Sequence, residues 1–165
     1  MSKADKRKRS ASASPSRKRA KPAWRIHLHR GDLFQAEHGN KVALAHCVSR
    51  DLHMGKGIAT LFKQKFGRVR DLKAQGKGVG QVAVLDDETT VVYYLITKEK
   101  YYGKPTYDTL RASLEECCRD AQARGIERLN IPRLGCGLDR LKWPRVLQIL
   151  TEVFRNVLQI HVYAL

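Results

Sequence analysis

Residues 42–66 have the sequence VALAHCVSRDLHMGKGIATLFKQKF, and this stretch decides the fold class. Residues 42–48 form a nearly continuous apolar run, which is typical of a strand that is covered on both faces of a sheet. Two glycines follow, and the pattern of residues 58–66 predicts a helix. A strand, a glycine turn and a helix in this order predict an α/β unit.

Alternating strands and helices continue on both sides of this stretch. Further strands are predicted at residues 24–30, 81–85, 91–97, 128–134 and 159–163, with an acidic turn at 86–88. Further helices are predicted shortly before Gly76, from Tyr107 to about Gly125, and around Pro144, which suits a first helical turn. The sequence therefore predicts a single α/β domain at residues 23–165, with a largely parallel or mixed sheet sandwiched between helices.

The charge of the chain is unevenly distributed. It has 32 Lys and Arg against 16 Asp and Glu, and residues 1–22 hold nine of these basic residues and a single acid. Half of the excess charge therefore lies in a short segment without Leu, Ile, Val, Phe, Tyr or Trp. Because such a segment cannot offset the entropy of folding, we expect residues 1–22 to be a disordered basic tail.

The cations of this tail form two clusters, at residues 6–9 and 17–19, around a Ser/Ala/Pro spacer. This pattern is typical of a nuclear-import signal or of an arm that binds a polyanion, and a solubilising extension is the alternative. We expect a nuclear protein, in nucleoplasm and nucleolus, with a cytoplasmic share.

No apolar stretch reaches the about 20 residues that span a bilayer, and no secretory signal is evident, so a soluble intracellular protein is expected.

Histidines and cysteines do not form a metal-ligand pattern. In residues 24–30, Trp24, Ile26 and Leu28 are expected on the inner face of a strand. His27 and His29 then fall on its outer face. The cysteines are Cys47, Cys117, Cys118 and Cys136. Because they lack CxxC spacing, we expect reduced thiols, no metal site and no cofactor.

Three loops that follow predicted strands carry candidate chemistry: residues 31–32, 54–57 and 135–137. Ligands in α/β sheets bind beyond the carboxyl ends of strands. The glycines of the last two loops allow backbone N–H groups to turn toward a diphosphate, although tight turns are the alternative. Residues 76–80 are also rich in glycine but lead into a strand, so they are interpreted as a plain connection.

The motifs of these loops, together with three others, resemble a known family. The matching segments are GDLF at 31–34, AHCVS at 45–49, MGKGIA at 54–59, YLITK at 94–98, KPTY at 104–107 and PRLGCGLDRL at 132–141. Across about residues 24–165 they resemble the terminal ADP-ribose protein glycohydrolases, an ALC-like class of the macrodomain family.

This resemblance implies a mixed sheet between helices and a cleft for ADP-ribose. It also implies hydrolysis of ADP-ribose from glutamate and aspartate side chains, with some activity on ADP-ribosylated nucleobases and O-acyl-ADP-ribose. The implied partners are ADP-ribose and ADP-ribosylated proteins, with poly(ADP-ribose) or nucleic acid as the polyanion for the tail. A monomer without membrane association is expected.

The resemblance also assigns ligand-binding positions. Asp32 would accept a hydrogen bond from the adenine amino group, and Leu33 would add a backbone contact. His46 and Ser49 would line the cleft, and Thr106 and Tyr107 would lie near the distal ribose. The phosphates would be held by backbone at Gly55, Lys56, Gly57, Ile58, Gly135, Cys136, Gly137 and Leu138. Pro132 is a further ligand-binding position.

Two further positions match catalytic residues of the family. The resemblance makes Lys98 the nucleophile that attacks the anomeric carbon of the ribose and Asp139 the acid that assists it. The chemistry agrees, because an unprotonated amine can displace a carboxylate from that carbon and a carboxylate can serve as general base. Spacing alone also allows a solvated lysine and a helix N-terminal acid. The chain departs from the family at His53 and Lys56, where Arg and Ala are usual.

Three functions remain open at this point. A hydrolase needs Lys98 and Asp139 together, whereas a non-catalytic reader of ADP-ribose needs only the cleft. A basic nucleic-acid-binding protein needs clustered cations with stacking aromatic residues, and residues 23–165 have no such signature. We therefore rank the hydrolase first, the reader second and the nucleic-acid-binding protein third.

Overall fold

The fold is built on one mixed β-sheet. In residues 23–86 and 89–165, which this computed structural model describes, the strands are β1 (His27–Arg30), β2 (Val42–Ser49), β3 (Val82–Asp86), β4 (Val91–Lys98), β5 (Arg128–Ile131) and β6 (Gln159–Ala164). They form a six-stranded sheet in the order β1-β6-β5-β2-β4-β3. Strand β3 is antiparallel to β4, and the other neighbours are parallel. The carboxyl ends of β2, β4 and β5 therefore lie at one edge.

Helices cover both faces of this sheet. Helices α1 (Ile58–Phe66) and α2 (Val69–Ala74) pack on one face, together with a 3-10 turn at Leu33–Gln35. Helices α3 (Tyr107–Arg124) and α4 (Trp143–Phe154) pack on the other. The prediction of an α/β fold with a mixed sheet between helices is confirmed.

Strands β2 and β4, which are neighbours inside the sheet, are buried along nearly their whole length, as their apolar runs predict. In β2, Ala43 and Ala45 face the core beneath α3 and α4, whereas Leu44 and Val48 face the core beneath α1 and α2. The apolar stripe of α3 is also buried, and this helix ends at Gly125, whose φ of 74° is the left-handed conformation that favours glycine.

The prediction for the first strand is wrong in its length and, at Leu28, in its inner face, whereas Trp24 and Ile26 pack against the core as expected. Strand β1 has four residues, and Leu28 is 61% exposed. The reason is the position of β1 at the edge of the sheet, where ring stacking replaces apolar packing. The rings of His27 and His29 lie 4.3 and 5.0 Å from the ring of His161 on β6, and His29 also stacks on Tyr163.

Some strand boundaries also differ from the predicted ones. Strand β5 ends at Ile131, because Pro132 has no N–H group to continue the ladder. Strand β3 includes Asp86, which was expected in an acidic turn. The rest of that turn and the predicted tail at residues 1–22 lie outside the described residues. Within the described part of the chain, no helix is long and apolar enough to cross a membrane.

Candidate active site

A cleft of about 810 Å³ opens at the carboxyl ends of β2, β4 and β5. One wall comes from residues 47–49 and from the loop that leads into α1. A second wall comes from Lys98 and residues 101–104, and a third from residues 132–135 and 137–140. Because ligands of parallel sheets bind at this edge, the cleft is the candidate functional site.

Lys98 and Asp139 meet inside this cleft. Lys98 is the last residue of β4, and Asp139 lies in the loop between β5 and α4. The Nζ atom of Lys98 donates a hydrogen bond to Oδ1 of Asp139 at 2.6 Å. The two side chains are only 14% and 15% exposed. An amine and a carboxylate are therefore held within proton-transfer distance at a site partly shielded from water.

An irregularity in the sheet places Ser49 beside Lys98. The register of β2 against β4 shifts between Val48 and Ser49, so that Ser49 becomes the pairing partner of Lys98. The backbone N–H of Arg50 then donates to the carbonyl of Lys98 at 2.8 Å. Bulges of this kind often re-aim side chains next to active sites, and here the bulge brings Ser49 into the cleft lining.

The first glycine loop has a tightly defined backbone. Leu52 and Met54 have φ values of 54° and 46°, which are unusual for residues other than glycine. Gly55 lies beneath the imidazole of His53, so a Cβ atom there would be 2.7 Å from Cδ2 of that ring. Gly57, with φ of 63°, leads into α1. The loop thus presents backbone and a helix N-terminus to the cleft, an arrangement suited to phosphate.

The second glycine loop holds Asp139 against Lys98. Gly135 has φ of 69°, and a Cβ atom there would lie 2.6 Å from Cδ1 of Leu141. The N–H of Leu141 donates to the carbonyl of Gly135 at 2.7 Å, which closes the loop. Arg140 next to Asp139 also has a positive φ, of 62°. Strained backbone of this kind is frequent at functional sites.

The cleft lining is electropositive. Its cationic side chains are Lys56, Lys98, Lys104, Arg133 and Arg140, and its carboxylate is Asp139. Such an excess favours an anionic ligand such as a diphosphate. Lys56, where the family resemblance expects Ala, is exposed at the rim of the cleft.

Asp51 is a site residue that the sequence analysis missed. Its carboxylate accepts hydrogen bonds from the hydroxyl of Ser49, from the N–H of His53 at 3.1 Å and from the N–H of Tyr101 at 3.0 Å. Burial alone would raise the pKa of Asp51, but these three hydrogen bonds hold it below its usual value. The Ser-x-Asp-x-His spacing is a detectable signal, since an aspartate often binds the backbone two residues later.

The structure places two expected cleft residues elsewhere. His46 does not line the cleft, because the alternation of β2 turns it into the core, where it stacks on Phe62 at 3.8 Å. Burial lowers the pKa of His46 to about 3, so the ring is neutral. The thiol of Cys136 points toward the carbonyl of Leu134, and its backbone N–H donates to the carbonyl of Arg133. Neither group therefore faces the cleft.

Thr106 and Tyr107 also lie outside the cleft lining, because Thr106 caps helix α3 and the hydroxyl of Tyr107 binds the backbone at the start of α4. The hydroxyl of Thr106 accepts from the N–H of Thr109 at 3.0 Å and caps the helix. The hydroxyl of Tyr107 accepts from the N–H of Lys142 at 3.0 Å. The residues of this segment that do line the cleft are Tyr101, Tyr102, Gly103 and Lys104.

Asp32 and Leu33 lie beyond the lining of the cleft described above. Leu33 is buried in the core beneath α1 and α2. Asp32 is exposed, and its Oδ1 accepts from the N–H of Phe34 at 2.9 Å to cap the 3-10 turn.

Across residues 23–86 and 89–165, no cluster of three or more His, Cys, Asp or Glu side chains could hold a metal ion.

Comparison with known proteins identifies relatives of this chain. Residues 45–150 match the Macro domain family. The ADP-ribose glycohydrolase OARD1 of Bos taurus is 47% identical over 142 residues, which cover 86% of this chain and 92% of the relative. The protein of the same name from Homo sapiens is 46% identical over the same shares.

Solved structures show the same fold. The macrodomain of Mycobacterium tuberculosis DarG superposes with a TM-score of 0.76 at 24% identity, covering 86% of this chain and 99% of that one. Thermosipho africanus DarTG in complex with ADP-ribose gives a TM-score of 0.66 at 22% identity, covering 83% of this chain and 41% of that one.

Proposed function

This chain belongs to the macro domain family, and from that premise we propose that it is an ADP-ribose glycohydrolase that releases ADP-ribose from glutamate and aspartate side chains. The observation that carries the proposal is the 2.6 Å contact between Lys98 Nζ and Asp139 Oδ1 inside the cleft. The name of the two curated relatives, which this chain matches over 92% of their length, supports a hydrolase.

In the first step, the pair makes Lys98 a nucleophile. A proton leaves Nζ for Asp139, and the neutral amine attacks the anomeric carbon of the ribose. The carbon–nitrogen bond forms as the bond to the acceptor oxygen breaks. Asp139 passes the proton to the departing carboxylate. The acceptor leaves as a free acid, ADP-ribose is bound to Lys98 through a secondary ammonium, and Asp139 is again ionised.

In the second step, Asp139 acts as general base toward water. The water oxygen bonds to the anomeric carbon while one of its protons goes to Asp139. The carbon–nitrogen bond breaks, its electron pair returns to Nζ, and the proton follows from Asp139 to Lys98. The resting ion pair is restored, and one water has been consumed for each ADP-ribose released.

The remaining lining residues, and Asp32 beyond them, would bind the ligand. The two glycine loops would hold the diphosphate through backbone N–H groups and through the potential of α1. Asp32 would accept the adenine amino group with the carboxylate oxygen that does not cap the 3-10 turn. Lys56 at the rim would raise affinity for the diphosphate by charge, since its side chain is exposed rather than packed inside.

The same attack on the anomeric carbon applies to ADP-ribosylated nucleobases, whose base is the leaving group. O-acyl-ADP-ribose carries its acyl ester on another ribose hydroxyl, and there Asp139 would act as general base for water that attacks the acyl carbonyl. A non-catalytic reader is less well supported, because binding alone requires no amine beside a carboxylate.

A single-turnover assay tests the proposal on a protein that carries glutamate-linked mono-ADP-ribose. The wild type should release ADP-ribose, and Lys98→Ala should not. Lys100→Ala is the matched control, because Lys100 is exposed and lies outside the cleft lining, and it should retain the wild-type rate. Release by Lys98→Ala at the wild-type rate would overturn the proposal.

We also propose that residues 1–22 direct nuclear import and contact polyanions, on the support of their two cation clusters. The test is imaging of the chain fused to a reporter too large for passive diffusion. Deletion of residues 1–22 should shift the fusion to the cytoplasm while the thermal midpoint of the domain stays nearly unchanged. Unchanged nuclear enrichment would refute the import role.

A further inference from the structure

One carboxylate, that of Asp51, ties together three segments around the cleft. Its Oδ1 accepts from the hydroxyl of Ser49 and from the N–H of His53, and its Oδ2 accepts from the N–H of Tyr101. Ser49 is the pairing partner of Lys98, Tyr101 follows Lys98 by three residues, and His53 precedes the first glycine loop. Asp51 itself lies behind the lining rather than in it.

The contact with Asp51 fixes the direction of the Ser49 hydroxyl proton. An ionised carboxylate is an acceptor only, so the proton of Ser49 must point at Asp51. Ser49 Oγ therefore presents only lone pairs to the cleft that Ser49 lines, so that it acts as a hydrogen-bond acceptor there. Phosphate oxygens carry no proton at neutral pH and would be repelled. A sugar hydroxyl can donate a hydrogen bond, and Ser49 Oγ would accept it.

The other contacts of Asp51 keep this arrangement in place. Leu52 and Met54 adopt left-handed conformations on the segment after Asp51, and both side chains are buried. The ring of His53 stacks on the ring of Tyr101 at 4.1 Å, which supports the link made through the backbone of Tyr101. The loop after β2 and the loop after β4 are therefore fixed relative to each other beside Lys98.

We propose that Asp51 is a positioning residue that holds Ser49 Oγ as a hydrogen-bond acceptor for a hydroxyl of the ribose that lies beside Lys98. This inference rests on the proposed function, which places the reacting ribose there. It assigns the recognition of that sugar to Ser49 and the orientation of Ser49 to Asp51. The diphosphate and adenine are held by other parts of the cleft and should not depend on Asp51.

The test compares the binding of ADP-ribose with that of ADP, which lacks the second ribose, by calorimetry on the full chain. Asp51→Ala and Ser49→Ala should each raise the Kd for ADP-ribose about tenfold, the loss expected for one hydrogen bond. The double variant should be little weaker than either single variant, because both remove the same contact. The Kd for ADP should change less than about twofold in all three.

Asp71→Ala is the matched control. It removes an aspartate that pairs with Arg68 on α2 at 3.0 Å, away from the cleft, and should leave both affinities unchanged. Equal weakening of ADP and ADP-ribose by Asp51→Ala would overturn the proposal, since that is the result of a loop that has merely lost its structure. Unchanged binding of ADP-ribose by Ser49→Ala would overturn it even if Asp51→Ala does not fold.

The binding experiments test the role of Asp51 independently of whether the protein is a hydrolase. A wild type that does not hydrolyse the ester but shows the split between ADP-ribose and ADP would refute the hydrolase and leave this ribose contact standing in a reader. An active enzyme whose variants lose both ligands equally would refute only the role of Asp51.

Discussion

Lys98 Nζ and Asp139 Oδ1 are hydrogen-bonded at 2.6 Å, although 41 residues separate them in the sequence. Their meeting depends on two local features, the end of the buried strand β4 and the closed loop at Gly135. Neither residue is free to move far without disturbing the sheet edge or that loop. The pair is therefore preorganised for proton transfer, and the predictions on activity follow from this geometry.

Asp139→Asn should lower the single-turnover rate on the glutamate ester by on the order of 10²-fold or more, the usual loss on removing a general acid–base. Its combination with Lys98→Ala should be little worse than Lys98→Ala alone, because the two residues act as a unit. Lys98→Arg should not rescue activity, since a guanidinium stays protonated. Independent, multiplicative losses would show that the residues act separately.

Asp32→Asn should weaken ADP-ribose binding by about 1.5–3 kcal/mol, the range for a hydrogen bond to a charged group. The amide oxygen can still accept from the N–H of Phe34, so the cap of the 3-10 turn and the thermal midpoint should be kept. Calorimetry and thermal unfolding measure the two effects separately. Unchanged affinity would mean that the adenine is bound elsewhere.

Gly135→Ala should destabilise the domain by about 1–3 kcal/mol, through strain at its positive φ and through contact with Leu141. Gly137→Ala is the matched control in the same loop, because a Cβ atom there meets nothing within 4 Å. Its stability should be close to that of the wild type. Denaturant unfolding of both variants decides the matter, and equal stabilities would contradict the geometry of this loop.

His46 should make the domain less stable in acid. Neither of its buried ring nitrogens has a hydrogen-bond partner among the described residues, and burial lowers its pKa to about 3. Because the unfolded chain binds the proton near the ordinary pKa of about 6.5, this contribution to stability is fully present above that pH. It falls as the pH drops from there toward 3, by up to about 1.4 kcal/mol per pH unit.

His46→Leu should remove the part of this slope that His46 contributes, so that the free energy of unfolding falls less steeply between about pH 6.5 and 4. His161, whose pKa burial lowers to about 4 with help from the charge of Arg128, acts in the same direction in both proteins. The difference between the two pH profiles therefore isolates His46. Parallel profiles for wild type and variant would contradict a neutral, buried imidazole.

The sequence predicts the layers of the fold because hydrophobic periodicity reflects burial directly. The buried runs in β2 and β4 and the stripe on α3 are of this kind, and the family resemblance agrees with the match to the Macro domain family. The exposure of Leu28 is not predictable in this way. Leu28 continues the apolar alternation, but β1 lies at an edge of the sheet, where its own histidines stack on the imidazole of His161 on β6.

The candidate site also has some features that are local in the sequence and others that depend on long-range contacts. Glycine loops and strand ends are local features, so the loops around Gly55 and Gly135 can be found from sequence. The role of Asp51 is not local, because its contact with Tyr101 spans 50 residues. His46 and Tyr107 were assigned to the cleft by motif position, whereas their side chains are directed by strand alternation and by a contact with Lys142.

Reductive trapping tests the central claim, that Lys98 is the nucleophile, most directly. In the covalent intermediate at Lys98, the bond from the anomeric carbon to the ring oxygen opens as a proton moves from Nζ to that oxygen, which gives an iminium. Borohydride added during turnover of the glutamate ester should reduce this iminium and leave ADP-ribose attached to Lys98. Peptide mass spectrometry should locate the adduct at Lys98 in the wild type and in Lys100→Ala, and detect none in Lys98→Ala. Turnover at the normal rate without any adduct on Lys98, or an adduct confined to another lysine, would contradict the account.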